Sequence, residues 1–466
     1  MNAIFLEKSS ITDTYIKDAK ATIENLEYPE KHYDDPNVPI KDWIAEWDYS
    51  KAKIDIYTHQ IHRYPAMFIP QVIRKLLLQY TNVGDFVLDI FNGSGTTTVE
   101  SAITSRESCG LERNPLAHLI AKVKTTLVDI DLLIESYEEL ANLYFESKAV
   151  NKKYFENIGF WFSPESIDYL SCLLTSIEQI NDSDFQDIFK VSFSSIVRDV
   201  SLVRHNGFKL HRDEKKLNKK WEKKEIFRLF HDAFIKSLIG LAQLNLRKDS
   251  FRQPELKCID STKFQDYLEG KADLIITSPP YGDSRTTVAY GQFSRLSSQW
   301  LGLIGINGNG SIENIDNKLL GGRRNGIDLE HAILNRSITL KTSLMAFESL
   351  ILKADGPLKK KLIDRAKDVL AFYIDLEKTI INGSRYLKSG KYFILITGSR
   401  IVKGIKLNTD LIIAELGENY GLLLDGILYR KSIPNKRMPY KVSPSNVVGE
   451  VAPTMNKESI ILLRKE

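Results

Sequence analysis

The stretch from Phe86 to Lys124 most narrows what this chain can fold into. An apolar run, Phe86 to Ile90, reads as a strand, and FNGSGT, Phe91 to Thr96, breaks it with two glycines before a helix from near Thr97 to Ser105. A second strand, Ser108 to Leu111, ends at Glu112, and Pro115 opens a further helix through Lys124. Strand, glycine turn, helix and strand in succession make one βαβ unit, so the reading predicts an α/β fold on a parallel sheet.

The rest of the chain divides around this unit. Residues 1–55 are polar, interrupted by Pro29, Pro36 and Pro39, and predict an N-terminal arm with a helix from Asp13 to Leu26. Residues 56–127 hold the βαβ unit, preceded by HRYPAMFIP and a helical string from Gln71 to Tyr80. Residues 128–250 change to long helical patterns, such as Leu132 to Phe145 and Ile226 to Leu246, and predict a helical insertion. The α/β rhythm resumes over 251–466, with strands Leu256 to Ile259, Ala272 to Ile276 and Tyr392 to Thr397. Long helices are predicted at Asp328 to Asp355 and Leu358 to Leu387, and short strands at Leu422 to Tyr429 and Ser459 to Leu463.

Composition sets outer bounds. At 466 residues, with 43% hydrophobic and 27% charged, the chain can bury a sizeable core. The formal charge of +4 permits a polyanionic partner without requiring one, so such a partner must be argued from local clusters. Three cysteines, Cys109, Cys172 and Cys258, stand far apart with no CxxC spacing, which indicates neither zinc site nor disulfide framework. The amino terminus lacks the pattern of a secretory signal, and no stretch approaches the roughly 20 apolar residues of a membrane span; a cytoplasmic location without membrane contact is the expectation.

Two loops carry chemistry. In the first, a glycine turn between strand and helix points backbone N–H groups and the positive end of a helix at a ligand, and the missing Cβ atoms let it approach. Glu112, ending the next strand about twenty residues on, stands where a carboxylate meets ribose hydroxyls in nucleotide-binding folds. A dinucleotide fingerprint fails, because the third glycine position counted from Gly93 is Thr98. The second loop is TSPPY, Thr277 to Tyr281, directly after the apolar run Leu274 to Ile276. An amino group conjugated to a base ring is a poor nucleophile because its lone pair is delocalised. Two acceptors on its hydrogens, the Ser278 hydroxyl and the Pro279 carbonyl, suit the task of turning that pair outward. Pro279 and Pro280 keep the backbone stiff, and Tyr281 can stack on the ring. Catalysis of this kind is orientation and polarisation, with no metal required.

The order of these strings resembles the S-adenosylmethionine-dependent DNA amino-methyltransferases, over roughly residues 57–127 and 254–465. The glycine turn is similar to the family's D-x-F-x-G-S-G-T-T string, here Asp89, Phe91, Gly93, Ser94, Gly95, Thr96 and Thr97, which wraps the methionine part of the donor. The resemblance implies that Asp89 accepts from the donor's ammonium, that Tyr64, Pro65 and Phe68 close the pocket over the methionine end, and that Asp260 contacts the adenine amino group. It implies a Rossmann-like, mostly parallel sheet of about seven strands with an antiparallel edge strand, the large helical insertion being additional. Within the family, Ser-Pro-Pro-Tyr points toward cytosine N4. Adenine N6 and RNA guanine N2 stay open, as does a non-enzymatic DNA-binding module. Attack on cytosine C5 is set aside because it needs a thiolate, and none of the three cysteines follows a proline.

The implied partner is double-stranded DNA, with a cognate restriction endonuclease as a further expected partner, and the chain is expected to act as monomer or homodimer. The insertion segment RHNGFKLHRDEKKLNKKWEKK supplies the densest positive stretch: Arg204, Lys209, Arg212, Lys215, Lys216, Lys219 and Lys220, with Phe208 and Trp221 interleaved. Asp213, Glu214, Glu222 and Glu225 dilute that charge, so a solvated helix face is the competing reading. Arg323 and Arg324 in GGRRNG form a second candidate DNA contact.

Overall fold

A computed structural model describes residues 2–26, 47, 49, 52–147, 152–204, 207–283, 288–303, 312–431, 441–442, 452–453 and 457–466. Pro29, Pro36 and Pro39 of the expected arm lie outside the described residues.

Seven strands form the central sheet: β1 Phe86–Asp89, β2 Glu107–Glu112, β3 Glu255–Cys258, β4 Ala272–Thr277, β5 Leu387–Thr397, β6 Leu422–Lys431 and β7 Lys457–Lys465, in the spatial order β3-β2-β1-β4-β5-β7-β6. The first five pair in parallel. Within this sheet antiparallel pairing is confined to one edge region, where β7 lies between β5 and β6. From β1 the chain first moves outward to β2 and β3, then returns to the other side of β1 with β4. That reversal opens a crevice at the carboxyl ends of β1 and β4, the usual place for a ligand in an open α/β sheet.

Alternation along the strands explains why both faces are covered. Val87, Leu274, Ile276 and Ile394 pack under α2, Pro70–Tyr80, through Val72, Ile73, Leu76 and Leu77. Their neighbours Leu88, Ile275, Phe393 and Leu395 face the opposite layer. Buried on both faces, β4 reads as a continuous apolar run rather than an alternating one. The βαβ unit continues with α3, Thr96–Ile103, and α4, Pro115–Lys124, where Pro115 takes the first helical position and Asn114 caps by accepting from the Leu116 N–H at 3.1 Å.

The insertion contains four long helices: α5 Ile130–Glu146, α6 Pro164–Glu178, α7 Ser183–Val200 and α8 Lys223–Asn245. Their aromatic core includes Tyr137, Phe189, Phe230 and Phe234 and runs on without a break into Leu116, Ile120 and Val123 of α4. The amino-terminal helix, Asn2–Glu24, lies on this same layer, with Tyr15 edge-on to Phe227 at 5.1 Å and Asp18 2.7 Å from His231 Nε2. Next come α9, Tyr290–Trp300, α10, Ile338–Leu352, α11, Gly356–Tyr386, and α12, Thr409–Glu418.

Several boundaries differ from the sequence reading. The helix expected from Asp328 begins at Ile338, because Ser337 caps it by accepting from the Leu340 N–H at 3.0 Å, and a short 3-10 turn precedes it. Strand β5 starts at Leu387, ahead of Gly390, whose φ of +75° lets the strand pass through a position that other residues resist. No helix among the described residues is long and apolar enough to cross a membrane.

Candidate active site

The two chemically informative loops meet at the switch point. Leu88 of β1 lies in register with Ile275 of β4, so the strand ends Asp89 and Thr277 are neighbours. The Thr277 hydroxyl donates to Asp89 Oδ1 at 2.6 Å, and the Phe91 N–H reaches both Thr277 Oγ1 and Asp89 Oδ1 at 3.0 Å. Burial raises the Asp89 carboxyl to about 6, while the bond from Thr277 pulls it back toward the ionised form.

Both glycines of the first loop have positive φ, +51° at Gly93 and +87° at Gly95. Their tasks differ. The Gly93 N–H donates to Glu112 Oε2 at 2.8 Å and thereby ties the turn to the end of β2. A Cβ on Gly95 would stand 2.9 Å from that of Ala121, so this glycine lets α3 and α4 approach. The other Glu112 oxygen accepts from the Asn114 N–H at 2.6 Å. Burial outweighs these two bonds and raises Glu112 to about 7.

A cavity of about 560 Å³ opens between the loops. Gly93, Ser94 and Thr96 line it from one side, Ser278 and Pro280 from another, and Tyr64, Pro65, Phe68, Phe91, Glu112 and Asp260 complete much of the wall. Its size falls within the range of roughly 300–1,000 Å³ seen for small-molecule and cofactor sites. The residues fit a methyl donor bearing adenosine and an amino acid: carboxylates at Glu112 and Asp260, a glycine cradle without side chains, and aromatic walls. Asp89 sits beneath this surface, only 1% exposed. Asp260 is partly engaged, since Arg113 lies 2.6 Å from its Oδ2 and the Thr262 N–H and hydroxyl donate to its Oδ1.

The second loop is held from behind. Pro279 is buried, and the Tyr281 hydroxyl donates to Glu458 at the start of β7 over 3.2 Å. Ser278 is half-buried and lines the cavity. Burial pushes the Cys109 thiol up to about 12 and Cys258 to about 11, far from thiolates at neutral pH.

The basic segment sorts into two groups. Arg204, Lys209, Lys215, Lys219 and Lys220 are exposed, the Lys219 ammonium lying 3.4 Å above the Trp221 ring. Lys216 instead donates to the Ser201 and Val203 carbonyls at 3.1 and 2.7 Å, and Arg212 covers the Phe160 ring at 4.5 Å. The segment reaches the cavity rim through aromatic contacts: Phe208 to Phe293 at 6.3 Å, then Phe293 to Tyr64 at 5.8 Å. Arg323 is exposed on the cavity wall, whereas Arg324 is ion-paired with Asp364 and Asp368 of α11 at 3.2 and 3.3 Å.

Sequence reasoning passed over several residues. Nothing in the string TSPPY assigns Thr277 a partner of its own. Asn114 donates to the Tyr64 hydroxyl at 3.0 Å and to Ser294 at 2.8 Å, fixing the closing segment against α9. The Asn-Pro pair after Glu112 was the available signal for that cap. Tyr290, stacked on Tyr64 at 6.1 Å, and the 315–320 segment over the cavity carried no motif.

A doubly wound sheet with a donor-sized cleft at its switch point, walled by a glycine turn and a Pro-Pro turn, defines the class of Rossmann-like methyltransferases. A family model described as DNA methylase, of the N6/N4 class, matches residues 5–123. The type II methyltransferase M.MvaI of Kocuria varians is 35% identical over 428 residues, covering 87% of this chain and 91% of that protein. M.MjaII of Methanocaldococcus jannaschii is 33% identical over 119 residues, 25% of this chain and 21% of that protein. M.BsoBI of Geobacillus stearothermophilus is 24% identical over 250 residues, 48% of this chain and 49% of that protein. The chain belongs to the type II DNA methyltransferases of the N6/N4 family, and its methyl donor is S-adenosylmethionine.

Proposed function

We propose that the protein methylates the exocyclic N4 amine of cytosine in double-stranded DNA, as the modification half of a restriction-modification pair. The observation that carries this reading is the Ser278–Tyr281 turn: it leaves β4 beside the glycine turn, and Ser278 and Pro280 share a cavity with Gly93 and Ser94.

The donor bound there supplies an electrophilic methyl group on its sulfonium. Gly93, Ser94 and Thr96 wrap its methionine part while Gly95 lets the turn pack on α4, Asp89 beneath them attracts its ammonium, and Tyr64, Pro65 and Phe68 close over it. Glu112 serves the ribose and Asp260 the adenine amine. Ser278 Oγ and the Pro279 carbonyl accept the two hydrogens of the target amine, so that its lone pair points away from the ring and toward the methyl. Pro280 removes a competing donor and stiffens the presentation, and Tyr281, anchored by Glu458, borders the target ring. A serine offers one small hydroxyl acceptor where a carboxylate would add a negative charge, and this supports cytosine over adenine.

Reaching a base in duplex DNA means rotating it out of the stack, at a cost of a few kcal/mol. Arg204, Lys209, Lys215, Lys219 and Lys220, with Phe208 on the rim, are the groups best placed to offset that cost by phosphate and stacking contacts. Lys216 and Arg212 support the surface that displays them, Arg324 is tied to α11, and Arg323 faces the cavity side.

Incubation with methyl-labelled S-adenosylmethionine and either a mixed-sequence duplex or transfer RNA tests the reading. Label in the duplex and none in transfer RNA is expected. Label confined to transfer RNA would assign guanine N2 instead, and donor binding without transfer to either would remove the enzymatic reading.

A further inference from the structure

Lys124, the last residue of α4, is fully buried. Among the described residues no carboxylate lies within ion-pair distance of its ammonium. Its Nζ has two neighbours: Ser94 Oγ at 3.5 Å and Met67 Sδ at 3.8 Å. Both residues line the donor cavity, so Lys124 stands one side chain behind the wall.

The charged and titratable groups around it leave that cation unmatched. His59 and His62 approach from the segment ahead of α2, and both are weakened as bases chiefly by burial and further by the lysine's charge. Neither ring nitrogen of His62 has a partner, and burial takes this side chain down to about 3, so it is neutral. From α3, Glu100 is committed elsewhere: Arg74 of α2 lies 2.6 Å from one oxygen and His59 2.8 Å from the other. Burial therefore brings the Lys124 ammonium down to about 7. A buried ammonium without a counter-ion is costly, and the site becomes favourable when an anion arrives next to it. The methionine end of the donor carries one carboxylate.

Resting on the assignment of the glycine turn to the donor's methionine end, we propose that Lys124 is a positioning residue for the donor's carboxylate, which the Ser94 hydroxyl receives while Lys124, behind it, supplies the opposite charge. The lysine orients Ser94 and sets the electrostatic potential at that end of the cavity. It touches neither the methyl group nor the target base.

The test compares two ligands by calorimetric titration in the absence of DNA: S-adenosylhomocysteine and its decarboxylated counterpart. In Lys124→Met the first should bind about tenfold or more weakly, the scale of a lost hydrogen bond to a charged group, while the second changes less than about threefold. Equal weakening of both ligands, or of neither, overturns the proposal, since a merely structural lysine would not distinguish them. Should the variant fail to fold, the wild-type protein gives an independent answer. The ratio of the two affinities should fall severalfold between pH 6.5 and 8.5 as Lys124 loses its proton, and a constant ratio overturns the assignment. Taking a ratio cancels the effects of Asp89 and Glu112, which both ligands meet alike.

Discussion

The Thr277 hydroxyl and Asp89 Oδ1 lie 2.6 Å apart, joining two loops that are separated by 188 positions in the chain. One bond fixes the end of β1, where the glycine turn begins, to the end of β4, where the Pro-Pro turn begins. The starting points of the two turns are therefore fixed by adjacent strands of one sheet, which is how the proposed orientation-dependent transfer is best supported.

Removing that bridge has a definite cost. Thr277→Val keeps the shape but leaves the Asp89 carboxyl and the Phe91 N–H with one fewer partner in a buried setting, and should destabilise the protein by about 1–3 kcal/mol. Thr277→Ser should restore most of the loss. Thermal denaturation of both variants, alongside donor titration, checks the pair.

Ser278→Ala is expected to separate binding from chemistry. Under the proposed role the Ser278 side chain serves the target amine rather than the donor, so donor affinity should stay within about twofold while the transfer rate drops roughly 100-fold or more, the scale of losing one aligned catalytic hydrogen bond. Single-turnover kinetics with saturating donor reads this directly. A parallel fall in donor affinity would move Ser278 into the donor site.

Glu112 gives the donor site an acidic limb. Its carboxyl sits at about 7, so lowering the pH from 8 toward 5 protonates it and removes a charged acceptor from the Gly93 N–H and from the proposed ribose contact; Asp89, at about 6, follows. Donor affinity should fall by up to about tenfold per pH unit between 7 and 6, and more steeply below 6 where Asp89 joins. In Glu112→Gln the dependence above pH 6 should flatten, leaving the limb due to Asp89.

The two glycines predict different defects. Gly95→Val places branches where even a Cβ would be 2.9 Å from that of Ala121, and should lower the melting temperature by separating α3 from α4. Around Gly93 the space is open, with the nearest atom at 3.9 Å, so Gly93→Val acts through its φ of +51° and through the donor's volume. It should abolish donor binding with a smaller change in melting.

Charge removal on the insertion should separate contact from support. Arg204→Ala, Lys215→Ala, Lys219→Ala and Lys220→Ala together should weaken DNA binding and reduce its salt dependence by about one log–log unit per lost phosphate contact. Lys216→Ala should chiefly lower stability, because its ammonium holds two backbone carbonyls. Filter binding across a salt series and melting curves distinguish the two.

What was legible in the sequence was whatever depends on local backbone. FVLDIFNGSGTTT and TSPPY announce strand ends and turns by residue type, and the Asn-Pro pair announces a helix start, so the βαβ unit and the order of the two loops followed from the string. Partnerships across the chain left no such mark. Nothing in the residues around Thr277 says that its hydroxyl meets Asp89, and Lys216 looks like every other lysine in its segment although it caps carbonyls. Lys124 closes an amphipathic helix, where a basic residue ordinarily faces water; only the packing of the segment around Met67 and of the glycine turn over its ammonium shows that it does not.

The claim on which the account rests is that Ser278 presents a cytosine amine to the donor's methyl group. Methylated duplex, digested to nucleosides and resolved by mass spectrometry against standards, tests it most directly. N4-methylcytosine as the sole new nucleoside is the predicted result. N6-methyladenine or 5-methylcytosine in its place would contradict it.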